Sequence, residues 1–87
     1  MRTVRVYTKP DCGPCTMTKK LLEAAGIPFI EESATEPGNL AAIKELGFLS
    51  APVVTVGDSL DDMWAGFQPG RIKELAARIA KENNHGR

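Results

Sequence analysis

The sequence contains two cysteines, Cys12 and Cys15, with Gly13 and Pro14 between them. A C-x-x-C pair that follows a predicted strand and opens a predicted helix is typical of a redox centre. Two intervening residues at a helix start bring the sulfurs close enough to form a disulfide. In such a pair one thiolate attacks a target disulfide, a mixed disulfide forms, and the second thiol resolves it. The motif therefore predicts dithiol–disulfide exchange.

The position of each cysteine relative to the helix start predicts its role. Cys12 lies at or before the first turn, where free backbone N–H groups and the helix dipole favour an anion. We expect the pKa of its thiol to lie below the ordinary value, which makes Cys12 the predicted nucleophile. Cys15, one turn into the helix, is predicted to be more enclosed and to act as the resolving thiol. Lys9 adds positive potential nearby, and Asp11 opposes it.

A structural disulfide and a metal site are the alternative interpretations of this motif. A disulfide that closes so short a loop constrains the unfolded chain little. Two cysteines and one histidine, His85, cannot complete a four-ligand zinc site within one chain. Two chains joined through Cys12 could still hold a metal ion or an iron–sulfur cluster. We expect no bound cofactor or metal, because the Cys12–Cys15 pair itself carries the two electrons.

Composition and charge limit the possible partners. The chain has 87 residues, and its 11 basic and 11 acidic side chains give a net charge of zero. Neither a basic nucleic-acid surface nor a membrane-spanning run of about 20 apolar residues is visible. With no signal peptide visible, we expect a cytoplasmic monomer with no nucleic-acid or membrane partner. We expect one domain over residues 1–82 and a flexible tail over residues 83–87.

Residue patterns around the motif predict four strands and three helices. The predicted strands are residues 3–8, 27–32, 52–56 and 61–64, with a turn at 57–59. The predicted helices are residues 12–25, a second that starts at the N-cap Thr35 and ends at Gly47, and a third that starts near Pro69.

The order β-α-β-α-β-β-α predicts an α/β fold. A right-handed β-α-β crossover makes the first two strands parallel, and the tight turn makes the last two antiparallel. Pro28 places the second strand at a sheet edge, and Pro14 fits the first turn of a helix. The result is a four-stranded mixed sheet flanked by three helices.

Two segments carry a family resemblance. Residues 7–15, YTKPDCGPC, followed by residues 50–54, SAPVV, resemble the thioredoxin fold. The resemblance implies that the Ala51-Pro52 peptide bond is cis and that Pro52 faces the cysteine pair. It also implies that the backbone of Ala51 pairs with an extended substrate segment beside the sulfurs.

A third segment is similar to one found in the NrdH redoxins. Residues 64–70 read WAGFQPG, where these proteins usually have Trp-Ser-Gly-Phe-Arg-Pro and an acidic residue. Thioredoxins share the CGPC tetrapeptide but usually have Trp where this chain has Asp11. Classical glutaredoxins usually have Pro-Tyr between the cysteines and a double glycine before the last helix. The chain departs from the NrdH pattern at Gln68 and Gly70, so any ion pair made by the usual residues there cannot form.

The resemblance implies an electron donor to ribonucleotide reductase. The recycling partner would be a thioredoxin reductase, to which the NADPH and FAD belong. A glutathione-dependent glutaredoxin is the alternative. Trp64 is either an ordinary core residue or, by the resemblance, forms with Phe67 an apolar rim near the redox site that suits a protein partner. The implied substrate- and partner-binding residues are Thr8, Lys9, Pro14, Ala51, Pro52, Trp64, Gly66, Phe67 and Gln68.

Overall fold

A computed structural model describes residues 3–57 and 62–84. Within these ranges the chain forms four strands and three helices in the predicted order. The elements are β1 (Val4–Thr8), α1 (Gly13–Ala24), β2 (Ile30–Ser33), α2 (Pro37–Glu45), β3 (Val53–Val56), β4 (Trp64–Ala65) and α3 (Pro69–Asn84). The α/β class predicted from the sequence is confirmed.

The strands form one mixed sheet in the order β2-β1-β3-β4. β1 pairs in parallel with β2 and antiparallel with β3, and β3 pairs antiparallel with β4. β2 is an edge strand, as Pro28 predicts. Tyr7 pairs with Val53, so the carboxyl end of β1 and the amino end of β3 lie side by side. The loops that carry Cys12 and Pro52 therefore start from the same edge of the sheet.

Two consecutive valines of β3, Val53 and Val54, pack in two different buried clusters. Val54 packs in a buried cluster with Leu22 of α1 and Ile72 of α3. Val53 packs with Ile43 of α2 in a second cluster. Because successive side chains of a strand point to opposite faces, α1 and α3 cover one face of the sheet and α2 covers the other.

The second strand starts later than predicted. β2 begins at Ile30, not at Ile27. The backbone N–H of Ile27 donates to the carbonyl of Leu22 at 3.0 Å, so this residue completes the end of α1. Pro28 then has no N–H to contribute to a strand ladder.

The predicted N-cap of α2 is wrong. Glu36 caps the helix, and its Oε1 accepts a hydrogen bond from Gly38 N–H at 2.9 Å. Thr35 lies one residue earlier, where its N–H donates to Oγ of Ser33 at 3.3 Å. A local side-chain bond therefore holds Thr35 in the preceding turn.

The last two elements also differ from prediction. β4 is Trp64–Ala65, so it shares only Trp64 with the predicted strand; Asp61, like residues 58 and 59 of the predicted turn, lies outside the described residues. α3 continues through Asn84, two residues into the predicted tail, and residues 85–87 lie outside the described ranges.

Candidate functional site

The two cysteines form a disulfide at the start of α1. Cys12 is the N-cap residue, with φ −112° and ψ 103°, and Cys15 lies in the first turn. Their Cα atoms are 5.2 Å apart. Asp11 has φ 55°, a left-handed conformation that turns the chain from β1 into the helix. Pro14 occupies the first turn, where the missing N–H leaves no hydrogen bond unmade.

A backbone donor of the helix start points at the Cys12 sulfur. The N–H of Cys15 donates to Cys12 Sγ at 3.1 Å. Cys12 is 8% exposed and Cys15 is 2% exposed, so Cys12 is the more accessible sulfur of a buried pair. A donor held in this position favours negative charge on Cys12 Sγ when the disulfide is reduced. The division of roles between the two thiols stays a prediction.

Pro52 lies at the amino end of β3, next to this helix start. The Ala51-Pro52 bond is cis, which confirms the expectation drawn from the resemblance. Extending the antiparallel register from Tyr7 and Val53 places Pro52 opposite Thr8. Ladder pairing between β3 and β4 begins at Val53, so the backbone of Ala51 lies beyond the ladder. The structure thus brings together the predicted residues at the ends of β1 and β3.

A polar cavity adjoins the disulfide and contains Lys19 and Glu31, neither of which is among the residues predicted for the site. It is lined by Cys12, Cys15, Thr8, Lys9, Asp11, Gly13, Thr16, Lys19 and Glu31. Glu31 Oε2 accepts hydrogen bonds from Thr8 Oγ1 at 2.8 Å and from Lys19 Nζ at 3.0 Å. The bond from Lys19, with that from Thr8, lowers the pKa of the Glu31 carboxyl.

These two charges lie on different elements, and sequence spacing gives no sign of their contact. Lys19 lies on α1 and Glu31 on β2, and the parallel crossover between β1 and β2 brings them together. Only the crossover topology, combined with a correct helix phase, could have predicted the pair.

The segment from Trp64 to Gln68 lies beside Pro52. The N–H of Gly66 donates to the Pro52 carbonyl at 2.7 Å. Trp64 is 4% exposed and belongs to the core, so its ring does not form an exposed rim. Phe67 is 38% exposed and carries aromatic surface in this segment. Gln68 Nε2 donates to the Ala65 carbonyl at 2.8 Å, which closes the loop locally.

In residues 3–57 and 62–84 no three His, Cys, Asp or Glu side chains are grouped as metal ligands would be. No described helix is long and apolar enough to cross a membrane.

Comparison with known proteins finds glutaredoxin-like relatives. The glutaredoxin family model matches residues 4–60. The glutaredoxin-like protein NrdH of Lactococcus lactis is 38% identical over 74 residues, which cover 84% of this chain and 99% of that protein.

Solved structures show the same relationship. The NrdH-redoxin of Escherichia coli superposes with a TM-score of 0.76 at 34% identity, over 84% of this chain and 93% of that one. That structure was described as the basis of a thioredoxin-like activity profile in a glutaredoxin-like protein. Chloroplastic thioredoxin z, at 16% identity and a TM-score of 0.64 over 93% of this chain and 80% of that one, shares the fold. The predicted thioredoxin fold is confirmed.

Proposed function

The chain belongs to the glutaredoxin family and, within it, to the NrdH-type glutaredoxin-like proteins, and from this premise we propose that it reduces disulfides of partner proteins and is recycled by a thioredoxin reductase. It is a thiol–disulfide oxidoreductase with a C-x-x-C disulfide. The observation that carries the proposal is the Cys15 N–H bond to Cys12 Sγ at the helix start.

The reaction runs in two exchange steps. Cys12 Sγ, as a thiolate, attacks one sulfur of the target disulfide; the target S–S bond breaks and the first target thiolate leaves and takes up a proton. The Cys15 thiol then loses its proton and attacks Cys12 Sγ, which breaks the mixed disulfide and releases the second target thiolate. The second target thiolate also takes up a proton, so the target gains two electrons and the two protons that the Cys12 and Cys15 thiols gave up, while Cys12 and Cys15 become the disulfide.

The target protein reaches the sulfurs at the sheet edge where β1 ends and β3 begins. A target segment in extended conformation pairs with the Ala51 backbone, which lies beyond the β3–β4 ladder. That pairing holds the target disulfide beside Cys12. Phe67, held near Pro52 through the Gly66 hydrogen bond, adds apolar contact at the other side of the site.

The segment that leads into α3 favours a protein reductant over glutathione, although Lys9 and Lys19 line the polar cavity beside the cysteines; Lys19 there is paired with Glu31. Glutathione carries two carboxylates, and binding them needs cations or paired donors. The sequence has no Lys or Arg from Gly57 to Gly70. Arg71, which follows, is engaged with the Trp64 ring and the Met63 carbonyl. Family membership adds ribonucleotide reductase as the proposed target and the cytoplasm as the proposed location.

A coupled assay tests the choice of reductant. NADPH oxidation is followed with thioredoxin reductase and a disulfide substrate, and then with glutathione and glutathione reductase at the same concentration of this protein. We expect efficient turnover only with thioredoxin reductase. Equal turnover with glutathione would assign the protein to the glutathione-dependent glutaredoxins. Visible absorbance of the purified protein, together with a dimer held by Cys12, would instead support a metal- or cluster-binding module.

A further inference from the structure

Thr18 is a polar side chain enclosed in an apolar core. Among the described residues it is the one buried side chain of polar or charged type, and none of its surface reaches solvent. It lies on the buried face of α1, between Cys15 and Leu22. Leu22 packs in the cluster that contains Val54 and Ile72. The hydroxyl of Thr18 is therefore shut off from bulk water.

The Thr18 hydroxyl has no hydrogen-bond partner among the described residues. Thr16, two residues earlier, shows the usual solution for a threonine in a helix, because its Oγ1 donates to the Cys12 carbonyl at 3.2 Å. Thr18 makes no corresponding bond to a carbonyl of the preceding turn. A buried hydroxyl without a partner lowers stability, so such a group in a folded protein calls for an explanation.

Cys15 lies one turn before Thr18 on the same buried face of α1. Residues three apart on a helix are neighbours, and their Cα–Cβ bonds tilt toward the helix N-terminus. The Thr18 side chain therefore leans toward the turn that carries Cys15. A reduced cysteine has an S–H donor and a weakly accepting sulfur, and a hydroxyl can pair with either.

This pairing is not made while the disulfide is intact. Cys15 Sγ is bonded to Cys12 Sγ, and the Thr18 hydroxyl is without a described partner. Reduction breaks the S–S bond as two electrons enter and each sulfur takes up a proton. The Cys15 side chain can then turn about its Cα–Cβ bond and adopt rotamers that the disulfide forbids.

We propose that the Thr18 hydroxyl forms a hydrogen bond with the Cys15 thiol in the reduced protein and so stabilises the dithiol relative to the disulfide. Thr18 is a positioning residue in this role, because it holds the resolving thiol and exchanges no bond itself. The inference rests on the proposed function, since the hydrogen bond exists only in the reduced half of the redox cycle. Its consequence is a disulfide that the recycling reductase reduces more easily.

The redox equilibrium of matched variants tests this hydrogen bond. Each protein is equilibrated at one pH with mixtures of reduced and oxidised dithiothreitol, and the dithiol fraction is measured by alkylation and mass spectrometry. One dithiothreitol becomes its cyclic disulfide as two electrons and two protons pass to Cys12 and Cys15. Thr18→Val removes the hydroxyl with little change of shape, and Thr18→Ser keeps a hydroxyl.

We expect Thr18→Val to shift the equilibrium about three- to fivefold toward the disulfide, within the range of a net hydrogen bond. That shift lowers the reduction potential by about 15–20 mV, because tenfold corresponds to about 30 mV for two electrons. Thr18→Ser should stay within about twofold of the wild type, since it retains the donor and acceptor. Thr55→Val, which removes a half-buried hydroxyl opposite Arg5 in the sheet, should not shift the equilibrium.

Urea unfolding of both redox forms separates this role from simple packing. The two folded forms and their unfolded states make a thermodynamic cycle, so a redox shift must equal the difference between the two changes in unfolding free energy. We expect Thr18→Val to destabilise the reduced form more than the oxidised form, where the hydroxyl has no partner to lose. Equal losses in both forms, with no redox shift, would show that Thr18 only fills the core and would overturn the proposal.

Trp64 offers the competing explanation. Its indole Nε1 is also buried without a partner among the described residues, and its ring packs in the same cluster as Leu22. A redox shift in Trp64→Phe that is absent from Thr18→Val would make the indole the partner of the thiol and overturn the assignment to Thr18.

Failure of the proposed function has a different signature. The dithiothreitol equilibrium needs no partner protein, so the expected shift without turnover by thioredoxin reductase would refute the proposed recycling partner and leave the hydrogen bond standing. A protein whose cysteines do not pass between dithiol and disulfide at any dithiothreitol ratio would refute the proposed function itself.

Discussion

The guanidinium of Arg71 lies over the indole ring of Trp64, with Cζ 5.6 Å from the ring centroid. Its Nη2 also donates to the Met63 carbonyl at 3.4 Å. These contacts join the first turn of α3 to β4, next to the loop that Gly66 ties to Pro52. Arg71 and the Gln68–Ala65 hydrogen bond together hold this segment.

Replacing Arg71 should therefore loosen the segment around Phe67. We expect Arg71→Ala to lower the free energy of unfolding by about 0.5–1 kcal/mol, the usual value of a partly exposed cation–π contact. Arg71→Lys should retain part of this stabilisation. Urea unfolding measures the free energy of unfolding of both variants. Lys73→Ala, an exposed change on the same helix, should have a smaller effect; an equal loss there would show that the Trp64 contact contributes nothing.

A side chain at position 66 should be tolerated sterically but not conformationally. A Cβ there would meet no atom within 4 Å, yet Gly66 has φ 84°. We expect Gly66→Ala to cost about 1–2 kcal/mol of stability, because L-residues rarely adopt this conformation. Gly70→Ala is the matched change, since Gly70 also has open space but lies within α3. It should be neutral or slightly stabilising in thermal unfolding. Similar losses in both variants would refute the backbone explanation.

The two cysteines should behave differently when each is replaced. Cys15→Ser should accumulate a mixed disulfide with a target, because Cys12 still attacks and nothing resolves the product. Cys12→Ser should not. Non-reducing electrophoresis and mass spectrometry of the trapped species measure the difference. A stable adduct formed only by Cys12→Ser would reverse the assignment.

The Lys19–Glu31 pair predicts a pH-dependent contribution to stability. Its hydrogen bonds lower the pKa of Glu31 in the folded state. Stabilisation is therefore complete above the unfolded-state pKa and is lost as the pH falls through the folded-state pKa. Because Glu31 is 46% exposed, we expect at most about 1 kcal/mol.

Two measurements check this effect. Glu31→Gln should be less stable than the wild type at neutral pH and equally stable well below the ordinary carboxyl pKa. An NMR titration should also give a higher Glu31 pKa in Lys19→Met. A stability difference that persists in acid would point to a packing effect instead of the ion pair.

Local signals predicted most of this fold, and contacts between elements account for what was missed. Alternation at Val4 and Val6, and Pro14 in a first turn, are readable from the chain alone. The N-cap of α2 depended on which of two adjacent polar residues reached a backbone N–H, a choice that spacing does not decide. Spacing also does not predict the whole cavity next to the disulfide. Cys12 and Cys15 belong to a recognisable motif, but Lys19 contacts Glu31 only because the crossover between β1 and β2 brings them together.

The loop that carries Cys12 follows β1, and the loop that carries Pro52 leads into β3. These are the two central strands of the sheet. Each of these strands has hydrogen-bonded neighbours on both sides, whereas β2 and β4 lie at the edges. Local opening at an edge can therefore occur without separating the loop of Cys12 from that of Pro52. Amide hydrogens of β1 and β3 should exchange among the slowest in the molecule. Sequence change at the periphery can then alter which partners bind while the distance between the two loops stays fixed.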